Sequence, residues 1–469
     1  MKKGTLGVII GHRGCFPGGL AEKGRQEVVE TLRKEGIDIL IAGNRETKYG
    51  AIENLGDAKK CANLFRQNRE KIDGILISLP NFGDERAIAE TIKMSGLNVP
   101  ILVQAYPDRL ERMEADYRRD SFCGKLSVCN NLRQYGITFS LTEFHTVYPA
   151  SKDFLSDLRR FMGVCRVVKG IRQARVGAIG ARTTPFKTVR FSEKLLQESG
   201  ISVETLDLSE VMNGVAKLKD SDKAVGNKLK AIIGYCATKG VPASALLKMA
   251  KVGLVIDRWV KENDIHAGTL QCWSALQDAL AIFPCVLMSM MSNSGVPCAC
   301  EVDVMGAVAM YALQLASEAP SGLFDWNNNY GDDPDKLVLF HCSNAPKSML
   351  KNTRMSYNVI AARMGGGPEN SYGTYTGRIS AGPMTFARIS TDDVSGQIVA
   401  CIGEGKITDD PLKTFGGVGV ARIERLQELL QVLCKNGFEH HVAISQSQTA
   451  DVLMEALDNY LGWNVYRHS

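Results

Sequence analysis

The sequence predicts an α/β chain, with two parallel-sheet units followed by a largely β third part. Three observations carry this. Short apolar runs alternate with amphipathic helices through the first third, the alternation restarts near residue 172, and the texture changes near residue 345. At 469 residues the chain exceeds what one hydrophobic core usually organises, so two or three domains are expected. The divisions are expected at 1–168, 169–345 and 346–469.

In the first part, strands are expected at Thr5–Ile10, Ile37–Ala42, Gly74–Leu79 and Val99–Gln104, after a short start that carries Lys2 and Lys3. Helical spacing marks Ala21–Glu35, Asp57–Arg69 and Glu85–Ser95 between them. Apolar runs joined by such helices make a parallel sheet with crossover connections. Their carboxyl ends carry Gly11-His12-Arg13-Gly14, Ser78-Leu79-Pro80-Asn81 and Gln104-Ala105-Tyr106-Pro107, where ligands of such sheets bind.

The second unit opens with a strand at Ala174–Ile179, then Gly180-Ala-Arg182, a helix over Phe191–Glu198 and a strand at Ser202–Leu206. Helices are expected over Leu246–Asn263 and Thr269–Ala281. Beyond residue 345 glycine and hydroxyl residues rise, as at Gly365–Gly367 and Tyr372–Thr376. Met384–Ser390 and Gly396–Gly403 alternate like antiparallel strands. The chain closes with His441–Ile444, a helix over Ala450–Leu461 and a short strand.

Composition excludes several classes. Hydrophobic residues make up 45% and charged residues 23%, an ordinary globular balance. A net charge of +5 without a basic run interleaved with aromatics gives no footprint for nucleic acid. The longest apolar stretch, Ala281–Met291, contains Pro284 and is far short of the roughly 20 residues of a membrane span. The start has no signal-peptide pattern. The thirteen cysteines lack a disulfide or zinc-knuckle spacing and read as the buried thiols of a cytoplasmic protein.

Metal-ligand chemistry concentrates in four runs. These are Ser294-Gly-Val-Pro-Cys-Ala-Cys-Glu301-Val-Asp303, Gly322-Leu-Phe-Asp325-Trp-Asn-Asn328, Leu337-Val-Leu-Phe-His341-Cys342 and Glu439-His440-His441-Val-Ala-Ile. Each has a structural reading alone: Glu301 as an acid at a helix start, Asp325 as a turn or cap residue, His341 as a hydrogen-bonded core histidine. His440 could take the place of His441. Together, two carboxylates and one or two imidazoles suit a divalent ion that takes mixed oxygen and nitrogen ligands, such as Mn²⁺.

The runs Gln271-Cys-Trp273, Gly295-Val-Pro297-Cys-Ala-Cys-Glu301, Asp325-Trp326-Asn, His341-Cys342-Ser-Asn344 and His441-Val-Ala resemble the L-fucose isomerase/L-arabinose isomerase superfamily, on its L-fucose isomerase-like branch. Asp120-Ser-Phe-Cys-Gly124-Lys125 resembles its N-terminal portion. The resemblance implies two Rossmann-like parallel-sheet domains and a C-terminal β-rich barrel. It implies a metal-dependent aldose–ketose isomerase, an intramolecular oxidoreductase working through an enediol, with Mn²⁺ or another divalent cation. Glu301 and Asp325 match the family's metal-binding acid/base carboxylates, and His441 its late metal-ligand histidine. His341 matches a ligand of the arabinose isomerase branch. The resemblance further implies a homo-oligomer, trimer or hexamer, whose sites are shared between subunits.

The expected substrate contacts are Arg13, Phe16, Lys125, Arg182, Trp273, Trp326 and Asn328. The basic loop at Arg13, with Lys125, makes an anionic sugar such as sulfoquinovose attractive beside a neutral one such as L-fucose or L-arabinose. Rivals are an epimerase or aldolase on the same scaffold and a non-catalytic sugar-binding protein. A nucleotide oxidoreductase is disfavoured, because Gly11-His-Arg-Gly14 is not GxGxxG.

Overall fold

Five parallel strands make the first sheet, in the order β2-β1-β3-β4-β5. They are β1 (Thr5–Ile10), β2 (Asp38–Ile41), β3 (Gly74–Leu79), β4 (Ile101–Ala105) and β5 (Ser140–Leu141). The computed structural model describes residues 4–363 and 367–469, so Lys2, Lys3, Gly365 and Gly366 lie outside the described residues. β3 and β4 are buried on both faces, as a parallel sheet covered by helices requires. Helices Gly18–Lys34, Leu55–Gln67, Glu85–Ser95 and Ser121–Gln134 supply that cover. Asn54 and Asp84 cap two of them, accepting from Asp57 N and Ala87 N. This sheet belongs to a compact unit ending at Lys169, which also includes Glu455–Gly462.

The second unit runs over Gly170–Met454 and Trp463–Ser469 and contains two sheets. The smaller is parallel, in the order β7-β6-β8-β9: β6 (Arg175–Ile179), β7 (Ser202–Leu206), β8 (Ala267–Leu270) and β9 (Cys298–Cys300). β8 corrects the helix expected over Thr269–Ala281. Ala267–Leu270 is a fully buried strand, and only Ala275–Leu280 is helical. The strand's small residues, Ala-Gly-Thr, carry no β-branched alternation, so the apolar spacing onward to Leu280 reads falsely as one helix. Pro284 does break its apolar stretch, and the helix Cys285–Asn293 begins directly after it.

The larger sheet has nine strands and is mixed. Its strands are β10 (Ser321–Asn329), β11 (Lys336–His341), β12 (Leu350–Tyr357), β13 (Tyr372–Ile379), β14 (Gly382–Asp392), β15 (Gln397–Thr408), β16 (Gly417–Arg422), β17 (His441–Ser445) and β18 (Asn464–Arg467). The run β16-β11-β10-β17-β14-β15 is antiparallel throughout, and a β15–β16 pairing joins its two ends. That closes a six-stranded barrel, which removes sheet edges within the ring. β12 with β13, and β18, extend it outside the ring. The helix Val304–Ser317, buried along most of its length, packs on β14, β17 and β10. No helix among the described residues is long and apolar enough to cross a membrane.

Candidate active site

Glu301 follows directly on β9, at the carboxyl end of a parallel strand. Its amide donates to Leu270 O, the last residue of neighbouring β8, at 3.1 Å. Glu301 and Val302 both lie in the left-handed region, at φ 62° and 59°. For a β-branched valine this conformation is costly, and two in succession mark a place where surrounding structure holds the backbone against its preference. The turn aims the Glu301 side chain away from the strand and hands the chain to the helix Val304–Ser317. Asp303 is that helix's N-cap, accepting from Gly306 N at 2.8 Å. A Cβ at position 306 would meet Asp303 Oδ2 at 2.5 Å, so glycine is what lets the carboxylate lie over the helix start.

The barrel brings the other groups. Asp325 on β10 is the cross-strand partner of His441 on β17, and on its other side of Phe340 on β11, one residue before His341. His441 Nε2 lies 3.1 Å from Glu301 Oε2 and 3.6 Å from Asp325 Oδ1. Ligand atoms of Glu301, His341 and His441 lie within 4.8 Å of one another, as do those of Asp325, His440 and His441. Glu301 Oε2, Asp325 Oδ1, His341 Nδ1 and His441 Nε2 are all buried without a hydrogen-bond partner among the described residues. Burying one such atom costs roughly 1–3 kcal/mol. The two triads share His441, and their mixed carboxylate and imidazole donors are of the kind that could hold a divalent ion of the Mn²⁺ type.

The surroundings are built to favour positive charge there. His441 Nδ1 donates to Asp303 Oδ2 at 2.8 Å, which turns Nε2 toward Glu301 and Asp325. Burial disfavours a charged His441, but Asp303 and Glu301 outweigh it and raise its pKa to about 10. Burial would raise Glu301; instead His441, His341 and the Trp273 indole, which donates to Oε1 at 3.0 Å, hold it below its ordinary value. Asp303 is buried too, yet Arg388 and His441 keep it far down the acid range. Arg388 is fully buried and bridges two carboxylates, Asp303 at 2.5 Å and Glu439 at 2.8 Å. Ser390 also bonds Glu439.

Of the residues expected from sequence, the structure gathers Glu301, Asp325, His341, His441 and Trp273. His440 Nε2 is 3.8 Å from Asp325 Oδ1, but its ring is 43% exposed while His441 is buried, so His441 is the inward-facing member of the pair. Trp326 packs edge-on against Phe386. Asn328 is exposed beyond a register shift in β10. Arg182, at the carboxyl end of β6, turns its guanidinium onto Thr183 O. Arg13, Phe16 and Lys125 belong to the first unit. There Arg13 pairs with Glu85 and covers the Phe82 ring, on which Phe16 stacks. The Lys125 ammonium is buried against Thr142 Oγ1 and His145 O. Burial there lowers its pKa to about 8.

Sequence reasoning missed Asp303, Arg388, Glu439 and the cover supplied by Phe186, whose ring lies 5.8 Å from His441 and 6.1 Å from Trp273. An arginine inside the otherwise apolar run Phe386–Ile389 was a signal, because a buried guanidinium demands carboxylates. Cys272 and Cys300 were also not linked by spacing. Their thiols come within 4.8 Å of the Glu301 carboxylate because β8 and β9 are neighbours.

Within the second unit, the end of a small parallel sheet and an antiparallel barrel bring this carboxylate–imidazole cluster together, and the comparisons with known proteins make the chain an aldose–ketose isomerase. The chain belongs to the fucose/sulfoquinovose isomerase family. Residues 7–172 match the family described as fucose/sulfoquinovose isomerase, N-terminal domain, and residues 339–469 match L-fucose isomerase, C-terminal domain. The chain is similar to a protein named sulfoquinovose isomerase from Priestia aryabhattai, with 22% identity over 455 residues, 96% of each chain. Proteins of the same name from Alkalicoccus urumqiensis and Clostridium sp. (strain MSTE9) are 20% and 22% identical. The first alignment covers 92% of this chain and 93% of its relative, and the second 73% and 75%.

Proposed function

We propose that this isomerase is metal-dependent, with Mn²⁺ held by Glu301, Asp325, His341 and His441, and that its substrate is an anionic hexose of the sulfoquinovose type. The observation that supports the metal is the pair of carboxylate–imidazole triads that meet at His441, with Glu301 Oε2, Asp325 Oδ1, His341 Nδ1 and His441 Nε2 all buried. The substrate class rests on relatives named sulfoquinovose isomerase that align over most of the chain.

The reaction moves a proton from C2 of the aldose to C1, while a hydroxyl proton passes from O2 to O1. Glu301 and Asp325 are the acid/base pair: one carboxylate takes the C2 proton and returns it to C1, and its counterpart serves the oxygens. A bound divalent ion supplies Lewis-acid stabilisation of the charge that develops on those oxygens. Phe186 and Trp273 exclude water from the buried side, and the Trp273 indole fixes Glu301 Oε1, which leaves Oε2 turned to His441 Nε2. Arg182, Trp326 and Asn328 are proposed for the sugar's remaining hydroxyls, and Arg13, Phe16 and Lys125 for contacts made to the site of a neighbouring subunit. The division expected at 345/346 moves earlier, because β10 and β11 before it are part of the barrel ring. The division at 168/169, a trimeric or hexameric assembly with shared sites and a cytoplasmic location belong to the same reading. The thirteen cysteines, all free thiols, support that location.

Kinetics of the Mn²⁺-loaded protein on a 6-sulfonated hexose, L-fucose and L-arabinose test the substrate. Preference for the sulfonated sugar is expected, and turnover of neutral sugars alone would overturn the anionic reading. In a parallel test, His441→Ala is expected to lose bound metal by elemental analysis while keeping its far-ultraviolet circular dichroism. Retention of a full equivalent would remove His441 from the ligand set.

A further inference from the structure

The barrel extension holds a second cavity, of about 400 Å³, that the metal cluster does not line. Its walls are β12, β13, the start of β16 and the loop before β16. Strand alternation sends Arg354 and Ser356 of β12, and Thr376 and Arg378 of β13, to this cavity. No aspartate or glutamate is among its lining residues. Arg378 Nη1 is buried without a hydrogen-bond partner among the described residues, although Nη2 donates to Asp410 O at 2.6 Å and Thr408 O at 3.4 Å. The nearby Asp410 carboxylate is committed elsewhere, to Lys336 at 3.0 Å and Thr408 Oγ1 at 2.7 Å. The Arg354 side chain is exposed. Between Lys351 and Arg354 the β12–β13 register shifts, with Asn352 left-handed at φ 57°, the kind of irregularity that re-aims a side chain.

We infer that this cavity binds a tetrahedral oxyanion, a sulfonate or a phosphate, between Arg354 and Arg378 with help from the Ser356 hydroxyl, while the Thr376 hydroxyl is committed to Arg354 O. An unpaired guanidinium N–H in a pocket free of carboxylates is a costly arrangement unless an anion completes it. Cross-strand pairing also ties the pocket to the chemistry. His441 pairs with Asp325, Asp325 with Phe340, Phe340 with Val418 and Val418 with Arg378. These residues form one row across the sheet, with Asp325 and Arg378 three strand spacings apart, about 14 Å between Cα atoms. The pocket wall also rests on the strand that carries His341. A Cβ at Gly416 would meet His341 O at 2.4 Å, and Cys342 lines the cavity.

Two sources share this chemistry: the anionic tail of the substrate, which rests on the sulfonated-sugar reading above, and a free anion acting as an effector. Full-length, Mn²⁺-loaded protein is titrated with inorganic sulfate and phosphate by calorimetry, as wild type, Arg354→Gln, Arg378→Gln and Arg378→Lys. Saturable binding to the wild type that weakens at least about tenfold in both glutamine variants, and is partly restored by Arg378→Lys, is the expected result. Arg354, exposed, keeps the test valid if Arg378→Gln fails to fold. Competition between sulfate and a 6-sulfonated hexose, with a rise in its KM beyond that for L-fucose, identifies the substrate tail. Non-competitive sulfate identifies an effector. No saturable anion binding to the wild type, or equal binding in the glutamine variants, overturns the pocket. Anion binding without any turnover of sulfonated sugars leaves the pocket standing and overturns the substrate reading alone.

Discussion

Glu301→Gln is expected to lower kcat by about 10³-fold or more, with the fold intact. The estimate follows from what the side chain does at each oxygen. Oε1 accepts the Trp273 indole N–H at 3.0 Å, a bond an amide oxygen also makes, so the glutamine stays in place. Oε2 faces His441 Nε2 and the other unpartnered donors, where the charge is needed. An amide there neither takes a proton from carbon nor offers an anionic ligand. General acid/base help alone accounts for about 10²–10⁴-fold, and lost charge at the cation site adds to it. Asp325→Asn is expected to behave in the same way. Single-turnover assays at saturating Mn²⁺, with melting curves and elemental analysis beside them, separate lost chemistry from lost metal. Either variant keeping more than about a tenth of wild-type turnover would remove that carboxylate from the proton path.

Why the sequence reached these two acids, and not the groups around them, follows from what each depends on. The parallel sheets were legible because β1, β3 and β4 are continuous apolar runs bounded by helical periodicity. β8 was not, because its small residues pack against β6 and β9 without any side-chain signature of a strand. Glu301, Asp325 and His441 stood in recognisable motifs. Their convergence depends on the β10–β17 register and on two left-handed residues after β9, neither of which spacing expresses. Asp303 was in plain view two positions after Glu301. Its role exists only because Gly306 makes room for its carboxylate and Arg388, 85 residues away, comes back to neutralise it. Closure of the barrel is equally non-local, since it rests on a short β15–β16 pairing.

That dependence makes Arg388 consequential although it lies outside the carboxylate–imidazole cluster. Arg388→Met is expected to destabilise the protein by about 3–5 kcal/mol, because it removes one member of a buried charge set and strands the others. Asp303 and Glu439 would keep their burial and lose their shared cation, while methionine fills most of the arginine stem's volume. In a unit of this size the loss corresponds to a melting temperature lower by roughly 5–8 °C. The acid limb of stability carries a second signature. Asp303's pKa is held below its ordinary value, so its contribution is present above the unfolded pKa of about 4 and is lost as pH falls through the folded value. Without Arg388 the folded value rises, and acid unfolding begins at a higher pH. The double variant Asp303→Asn/Arg388→Met is the control for charge as the cause. It removes both members of one ion pair, and asparagine still offers His441 Nδ1 an acceptor. Part of the lost melting temperature is therefore expected to return. If the double variant melts at or below the single one, lost packing outweighs stranded charge as the cause. If neither variant shifts the acid limb, Arg388 is not what holds Asp303 ionised, and the orientation of His441 has another source.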